Sequence, residues 1–117
     1  MLTKANRLNN KKDIEGVLKK GRGFKEDFLI LKTAKNNLNK TRFAFIVSSK
    51  VSSKATVRNK IKRKLSELVR IKLKKIKSGT DNILIASPGL EIKDFWEFEE
   101  IIDKLFKKTG LIENSKS

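Results

Sequence analysis

Apolar residues recur along this chain with two different periods, and the switches between them mark out the elements. In residues 11–20, Ile14, Val17 and Leu18 fall on one face at helical spacing, with Asn10 placed to cap the start and Gly21 to end it. Residues 22–25 read as a short strand. Residues 28–34 give a firmer strand, an apolar run bounded by Lys25, Glu26 and Asp27 before it and by a turn-forming cluster of Asn36, Asn37 and Asn39 after it. In residues 42–48, Phe43, Phe45 and Val47 alternate with Ala44, Ile46 and Ser48. Both faces are largely apolar, so this strand is expected in the middle of a sheet with helices over at least one face. A Ser- and Lys-rich loop leads into a long helix from Ala55 or Thr56 to Lys77, with Val57, Ile61, Leu65, Leu68, Val69, Leu73 and Ile76 on one arc. The segment NILIAS at 82–87 reads as a short buried strand, and Pro88 and Gly89 break the chain after it. Residues 93–108 form a last amphipathic helix, its apolar arc built from Phe95, Phe98, Ile101, Ile102, Leu105 and Phe106 and stopped by Gly110. Trp96 falls outside that arc: it is expected to fold over the helix start and cover the neighbouring loop, the alternative being an exposed aromatic at a contact surface.

The order αβββαβα describes an α+β protein, a two-layer sandwich with one four-stranded mixed sheet. At 117 residues the chain is expected to form a single domain, with residues 1–10 as an N-terminal arm and 111–117 as a disordered tail. No internal repeat is present. A parallel crossover through residues 42–87 would by general expectation be right-handed.

Charge narrows the function. The chain carries 29 Lys and Arg against 13 Asp and Glu, a formal net charge of +16, which draws polyanions: nucleic acid, an anionic membrane surface or acidic proteins. No apolar run approaches the roughly 18 residues of a membrane span, and no apolar segment follows the basic N-terminus, so a cytoplasmic location is expected. The absence of Cys excludes disulfides and thiolate metal sites. His is absent as well, which removes the side chain most often used as a general base at neutral pH, so no catalytic and no metal-binding residues are assigned. The densest acidic group, Asp94, Glu97, Glu99, Glu100 and Asp103, is expected to be a solvated helix face.

The informative stretch is 43–70, FAFIVSSKVSSKATVRNKIKRKLSELVR. With residues about 100° apart around the helix, Lys60, Arg63, Arg70 and Lys74 gather opposite the apolar arc. Lys50, Lys54, Arg58 and Lys62 extend this stripe around the helix start, where free backbone N–H groups also favour anions. Arg58 and Lys62 lie toward the apolar side and are harder to dismiss as solubility charge. A solvated face is the ordinary meaning of such a stripe; the run RNKIKRK on a chain of this charge favours nucleic acid. A membrane-surface helix would need a larger exposed apolar face, and here that arc is needed for the core.

At these residues the chain resembles the bacterial ribonuclease P protein family. Val47, Ser48, Ser49 and Lys50, then Ala55, Thr56, Val57, Arg58, Asn59, Lys60, Ile61, Lys62 and Arg63, follow the family's strand ending in Val-Ser-Lys-Lys and its helix Ala-Val-x-Arg-Asn-Arg-x-Lys-Arg. Arg7-Leu8, the 13–21 helix and the late strand and helix keep the family's spacing, so the resemblance covers about residues 5 to 110. Lys60 stands where the family has a second arginine, keeping charge but losing the planar fork, and Ser49 stands for a lysine. Ile14, Leu18 and Leu31 are aliphatic where the family often has aromatics; Phe24, Phe28, Phe43 or Phe45 could supply part of a stacking surface.

The resemblance implies a ribosomal protein S5 domain 2-like fold with a left-handed βαβ crossover, and a role as the protein subunit of the endoribonuclease that removes the 5′ leader of precursor tRNA. It implies that the RNA subunit performs the hydrolysis with Mg²⁺ held by RNA and substrate, leaving a 5′-phosphate on the tRNA and a 3′-hydroxyl on the leader. It implies partnership with the ribonuclease P catalytic RNA and precursor tRNA, one protein per RNA, and no membrane. Lys50, Lys54, Arg58, Asn59, Lys60, Lys62 and Arg63 would contact the RNA. Ile14, Leu18, Leu31 and Phe45 would line a cleft for the single-stranded leader, between the first helix and the open sheet face. A ribosomal or other structural RNA-binding protein would share the size and charge, and a protein nuclease is the remaining enzyme class. A DNA-binding regulator fits poorly, because its recognition helix would follow a helical turn and here the basic helix follows a strand.

Overall fold

The computed structural model describes residues 2–112. Helix α1 (Lys11–Lys20) starts where the Asn10 side chain accepts hydrogen bonds from the backbone N–H groups of Lys12 (2.9 Å) and Asp13 (3.3 Å). It stops at Gly21, whose φ of −70° is not the left-handed value usual at such positions. Proximity requires the glycine instead: a Cβ there would collide with the Val17 carbonyl and approach the Thr33 carbonyl to 3.1 Å. Strands β1 (Arg22–Glu26) and β2 (Leu29–Lys35) form an antiparallel hairpin turned by Asp27 at φ 50°. Strand β3 (Arg42–Ile46) feeds helix α2 (Ala55–Lys72), and a 3₁₀ turn, Leu73–Lys75, replaces the last turns of the longer helix expected from the sequence. Strand β4 (Thr80–Ala86) follows, then helix α3 (Phe95–Thr109), which opens with a reciprocal Asp94–Glu97 capping box and closes on left-handed Gly110 at φ 81°.

The four strands form one mixed sheet in the order β1-β2-β4-β3. Strand β4 pairs antiparallel with β2 and parallel with β3, so β4, not β3, holds the centre. The expectation of a central β3 is corrected here, and the physical reason lies in the arm. Leu8 N–H donates to the Phe43 carbonyl (2.8 Å), Arg7 pairs with Phe43 in a parallel bridge, and Leu2 and Leu8 are buried. The arm includes a 3₁₀ turn at Lys4–Asn6 and covers the free edge of β3. An edge strand covered by other chain reads in sequence like a central one.

The sheet buries its two faces unequally. On one, Leu29, Leu31, Phe43, Leu84 and Ala86 pack against Ile61, Leu65, Leu68 and Val69 of α2 and Phe98, Ile102, Leu105 and Phe106 of α3. This is the expected two-layer sandwich. On the other face the shorter α1 lays Val17 and Ile14 over Ile83, Ala34, Ala44, Ile46 and Ile85, and covers only part of it. Lys72 ties the helical layer together, reaching Asp103 at 2.7 Å and Glu99 at 3.6 Å, so the acidic group on α3 is not only a solvated face.

Two further expectations change. Leu111 and Ile112, placed in the disordered tail by sequence, are buried; both N–H groups bond to the Phe106 carbonyl, and Lys77 N–H donates to the Leu111 carbonyl at 2.8 Å. The rest of that tail, 113–117, lies outside the described residues. Leu31, assigned to a cleft beside α1, is fully buried on the opposite face, because side chains alternate along β2 and its partner Leu84 also points into the α2/α3 core. Leu31→Ala should therefore cost about 2–5 kcal/mol in denaturant unfolding and leave RNA affinity of the folded protein unchanged.

Candidate nucleic-acid interface

The loop before α2 is built by short-range bonds that its serines and Val51 make possible. Ser48 Oγ accepts from Lys50 N–H (3.3 Å), Ser52 Oγ accepts from Lys54 N–H (3.2 Å), and buried Val51 anchors the loop to the core. Lys54 is the N-cap, with no side-chain cap bond, and the first turn of α2 holds no acidic residue. The positive end of the helix dipole therefore faces outward beside Lys50, Lys54 and Arg58, a setting that favours an anion. Arg58 is half-buried because its Nη1 donates to the Ser52 carbonyl at 2.9 Å. That bond explains why its helical angle leans toward the apolar side: the side chain closes the loop onto the helix.

Asn59, Lys60, Lys62 and Arg63 are exposed on α2. Arg70, expected in the same stripe, is engaged by Glu67, with Nε donating to the carboxylate at 3.2 Å; this bond raises the Arg70 pKa and lowers that of Glu67. The free positive charge is accordingly concentrated toward the N-terminal half of the helix.

Below Lys62 and Arg63 lies a groove of about 440 Å³ at the edge of the sheet. Its floor comprises Ile14 of α1 and Phe43, Ala44 and Phe45 of β3, Leu2 and Leu8 come from the arm, and Arg7 joins the two α2 cations. The Phe43 and Phe45 rings are nearly parallel, 11° apart with centroids at 6.4 Å, which is the spacing set by two residues on one strand face. The lining includes Arg7, Lys62 and Arg63 but no carboxylate. Such a surface can hold a phosphate chain along its rim and an apolar or aromatic group on its floor.

The groove lining brings Ile14, Phe45, Lys62 and Arg63 together, and Lys50, Lys54 and Arg58 stand at the helix start; Phe45, however, belongs to the Leu31–Leu84 row on the α2 side of the sheet and reaches the groove around the β3 edge, not from the open face beneath α1 where it was expected. Leu18 does not line the groove; it is more than a third exposed on α1. Leu31 is in the core. Three residues missed by sequence reasoning replace them on the open face: Ile30, Ile85 and Ile46 are register neighbours across β2, β4 and β3 and form a half-buried aliphatic row. The alternation in NILIAS carried part of that signal, but the row exists only once the strands are placed side by side.

The family model for Ribonuclease P matches residues 2–110. The chain belongs to the ribonuclease P protein family. A ribonuclease P protein component from Clostridium botulinum is 35% identical over 109 residues, covering 92% of this chain and 97% of that one. The ribonuclease P protein of Thermotoga maritima superposes with a TM-score of 0.81 at 30% identity, covering 87% of this chain and 98% of that one. The Staphylococcus aureus ribonuclease P protein shares the fold, with a TM-score of 0.86 at 24% identity over 93% of this chain and 99% of that one. The four-stranded mixed sheet with three helices is the architecture of these ribonuclease P proteins.

Trp96 departs from expectation. It is 75% exposed, its ring set nearly perpendicular to that of Phe95 with centroids 6.4 Å apart. Glu91, Asp94, Glu97 and Glu100 are exposed around it in sequence, so this corner of a basic ribonuclease P protein is locally acidic. Trp96 emission should accordingly lie close to that of the unfolded chain, and titration with RNA should leave it unquenched; strong quenching by RNA would place the nucleic acid on α3 instead.

Proposed function

We propose that this chain is the protein subunit of a bacterial ribonuclease P, binding the catalytic RNA and the 5′ leader of precursor tRNA and so assisting Mg²⁺-dependent removal of the leader. The carrying observation is the continuity of two surfaces: an uncapped, acid-free helix start with Lys50, Lys54 and Arg58, and the adjoining groove where Arg7, Lys62 and Arg63 border Ile14 and Phe45. The first suits folded RNA, whose phosphates converge on helix N–H groups and cations. The second suits a single strand, whose backbone follows the cations while bases rest on the floor without sequence preference. Lys60, Asn59 and Arg63 on the outer helix face extend the RNA contact.

Several carboxylates of this chain are already engaged by cations. Asp81 and Asp13 face Arg42, Glu99 and Asp103 face Lys72, and no cluster of three potential ligands occurs among the described residues. In this reading the metal stays with the RNA and the substrate, and the protein's cations replace part of the counterion atmosphere that both would otherwise require. Purified free of RNA, the chain should cleave nothing; added to a ribonuclease P RNA with precursor tRNA, it should lower the Mg²⁺ needed for half-maximal cleavage. Cleavage by the RNA-free protein after nuclease treatment and repurification would defeat this proposal.

The contacts should also differ in strength by geometry. Arg58→Ala removes a fork at the helix start and its loop bond, whereas Lys74→Ala removes a solvated point charge at the far end. With a charge-assisted phosphate contact worth on the order of 1.5–3 kcal/mol and a screened one less than about 1 kcal/mol, the difference in RNA affinity should approach about tenfold. Lys60→Arg should strengthen binding or leave it unchanged. Titration of the folded variants at fixed salt, with circular dichroism as the control, measures this; equal losses for Arg58→Ala and Lys74→Ala would reduce the surface to diffuse charge.

A further inference from the structure

A polar network crosses the sheet face beneath α1, where the remainder of that surface is aliphatic. Arg42 on β3 and Asp81 on β4 are register partners. Arg42 donates to the Asp81 carboxylate through Nε at 2.8 Å and Nη2 at 2.7 Å, and Asn36 Nδ2 from the β2–β3 turn donates to the same carboxylate at 2.8 Å. The Asp81 side chain is only 9% exposed and that of Arg42 19%. A guanidinium held on two of its donors by a nearly buried carboxylate has little freedom, and the same Asp81 bond raises the Arg42 pKa, so its charge is permanent.

The Arg42 Nη2 group also reaches Asp13 Oδ2 at 3.4 Å, in the first turn of α1. Helix α1 has otherwise a light hold on the sheet. It is a single helix of 10 residues, Val17 is its only buried residue, and Leu18 is more than a third exposed. A helix so short does not persist without tertiary contacts. The residue after Asp13 is Ile14, the one α1 side chain that lines the groove with Phe45, Lys62 and Arg63. A small rotation or slide of α1 would move Ile14 off that floor while leaving the main core intact.

We propose that Arg42 is a positioning residue for single-stranded RNA: fixed by Asp81, it tethers Asp13 and thereby sets Ile14 into the groove beneath Lys62 and Arg63. This rests on the reading of the groove as the site of the leader strand. Arg42 itself touches no RNA in this arrangement. Its effect passes through the placement of α1, so it should appear in leader recognition and not in general RNA affinity.

The test uses the chain assembled with a bacterial ribonuclease P RNA, with affinities measured at fixed salt for precursor tRNA carrying a leader and for the same tRNA without one. Asp13→Ala removes the tether and leaves the Arg42–Asp81 pair in place, so the fold should survive. It also removes a negative charge, which by diffuse electrostatics alone would raise affinity for both substrates. The expected result is the opposite for the leader: the ratio of leader-bearing to leaderless affinity falls about threefold to fivefold, the scale of losing a half-exposed ion pair, while thermal unfolding stays near wild type. Asp13→Glu, which keeps the carboxylate, should recover most of the ratio. Arg42→Lys should lower it as Asp13→Ala does, and the double variant should lose no more than either single one, since both break one tie. An unchanged ratio in Asp13→Ala would overturn the positioning role alone. A wild-type complex indifferent to the leader would instead overturn the reading of the groove, and this proposal with it.

Discussion

The fold depends on the burial of β4. Its residues Ile83 and Leu84 are both fully buried although they point to opposite faces, so the strand can exist only with a neighbour on each edge and a covering layer on each side. The antiparallel neighbour comes from the hairpin β1–β2. The parallel neighbour, β3, requires a crossover long enough to return the chain to the same end of the sheet, and α2 supplies it. Because α2 must bury one arc against Leu31, Phe43 and Leu84, its opposite arc is held outward as a rigid row of cations. A core requirement thus fixes the direction in which the basic surface faces.

Charge is distributed on the same plan. A chain of net charge +16 repels itself on compaction, and acidic residues relieve this within and between the elements. Asp103 and Glu99 take up Lys72 between α2 and α3, Glu26 takes up Lys108 at 3.0 Å between β1 and α3, and Glu67 engages Arg70. None of these carboxylates lies at the start of α2. The cations at the start of α2, next to the groove, are therefore left without acidic partners there, where a polyanion can neutralise them.

The groove exists because β3 is an edge strand that the arm covers incompletely. Leu2 and Leu8 seal the backbone edge and one side of Phe43, but Phe45, one step further, is only half-buried. Alternation along the strand keeps Phe43 and Phe45 on the α2 side and Ala44 and Ile46 on the α1 side, so the groove wraps the edge and borrows from both layers. An apolar floor with cations above it follows from where the arm stops.

Residue periodicity alone determined the elements and their order: the arcs of α2 and α3, the Asn10 cap, the glycine stop of α3 and the basic run at 58–63 are all local features, settled by side chains within a few turns of one another. The motif at 47–63 carried the family in the same way. Sequence could not place β3 at the edge, because apolar alternation records burial and not which part of the chain provides it; here the provider is the arm. Nor could it assign Leu31 to the core face and Ile30 to the open one, since that choice depends on the register of β2 against β4. The tail shows the same limit, for Leu111 and Ile112 are too short an apolar run to signal an element, yet they close over the end of α3. Interactions between neighbours in sequence were readable from the chain, whereas strand order, register and the meeting of Asp13, Arg42 and Asp81 were decided only when distant segments competed for the same buried surface.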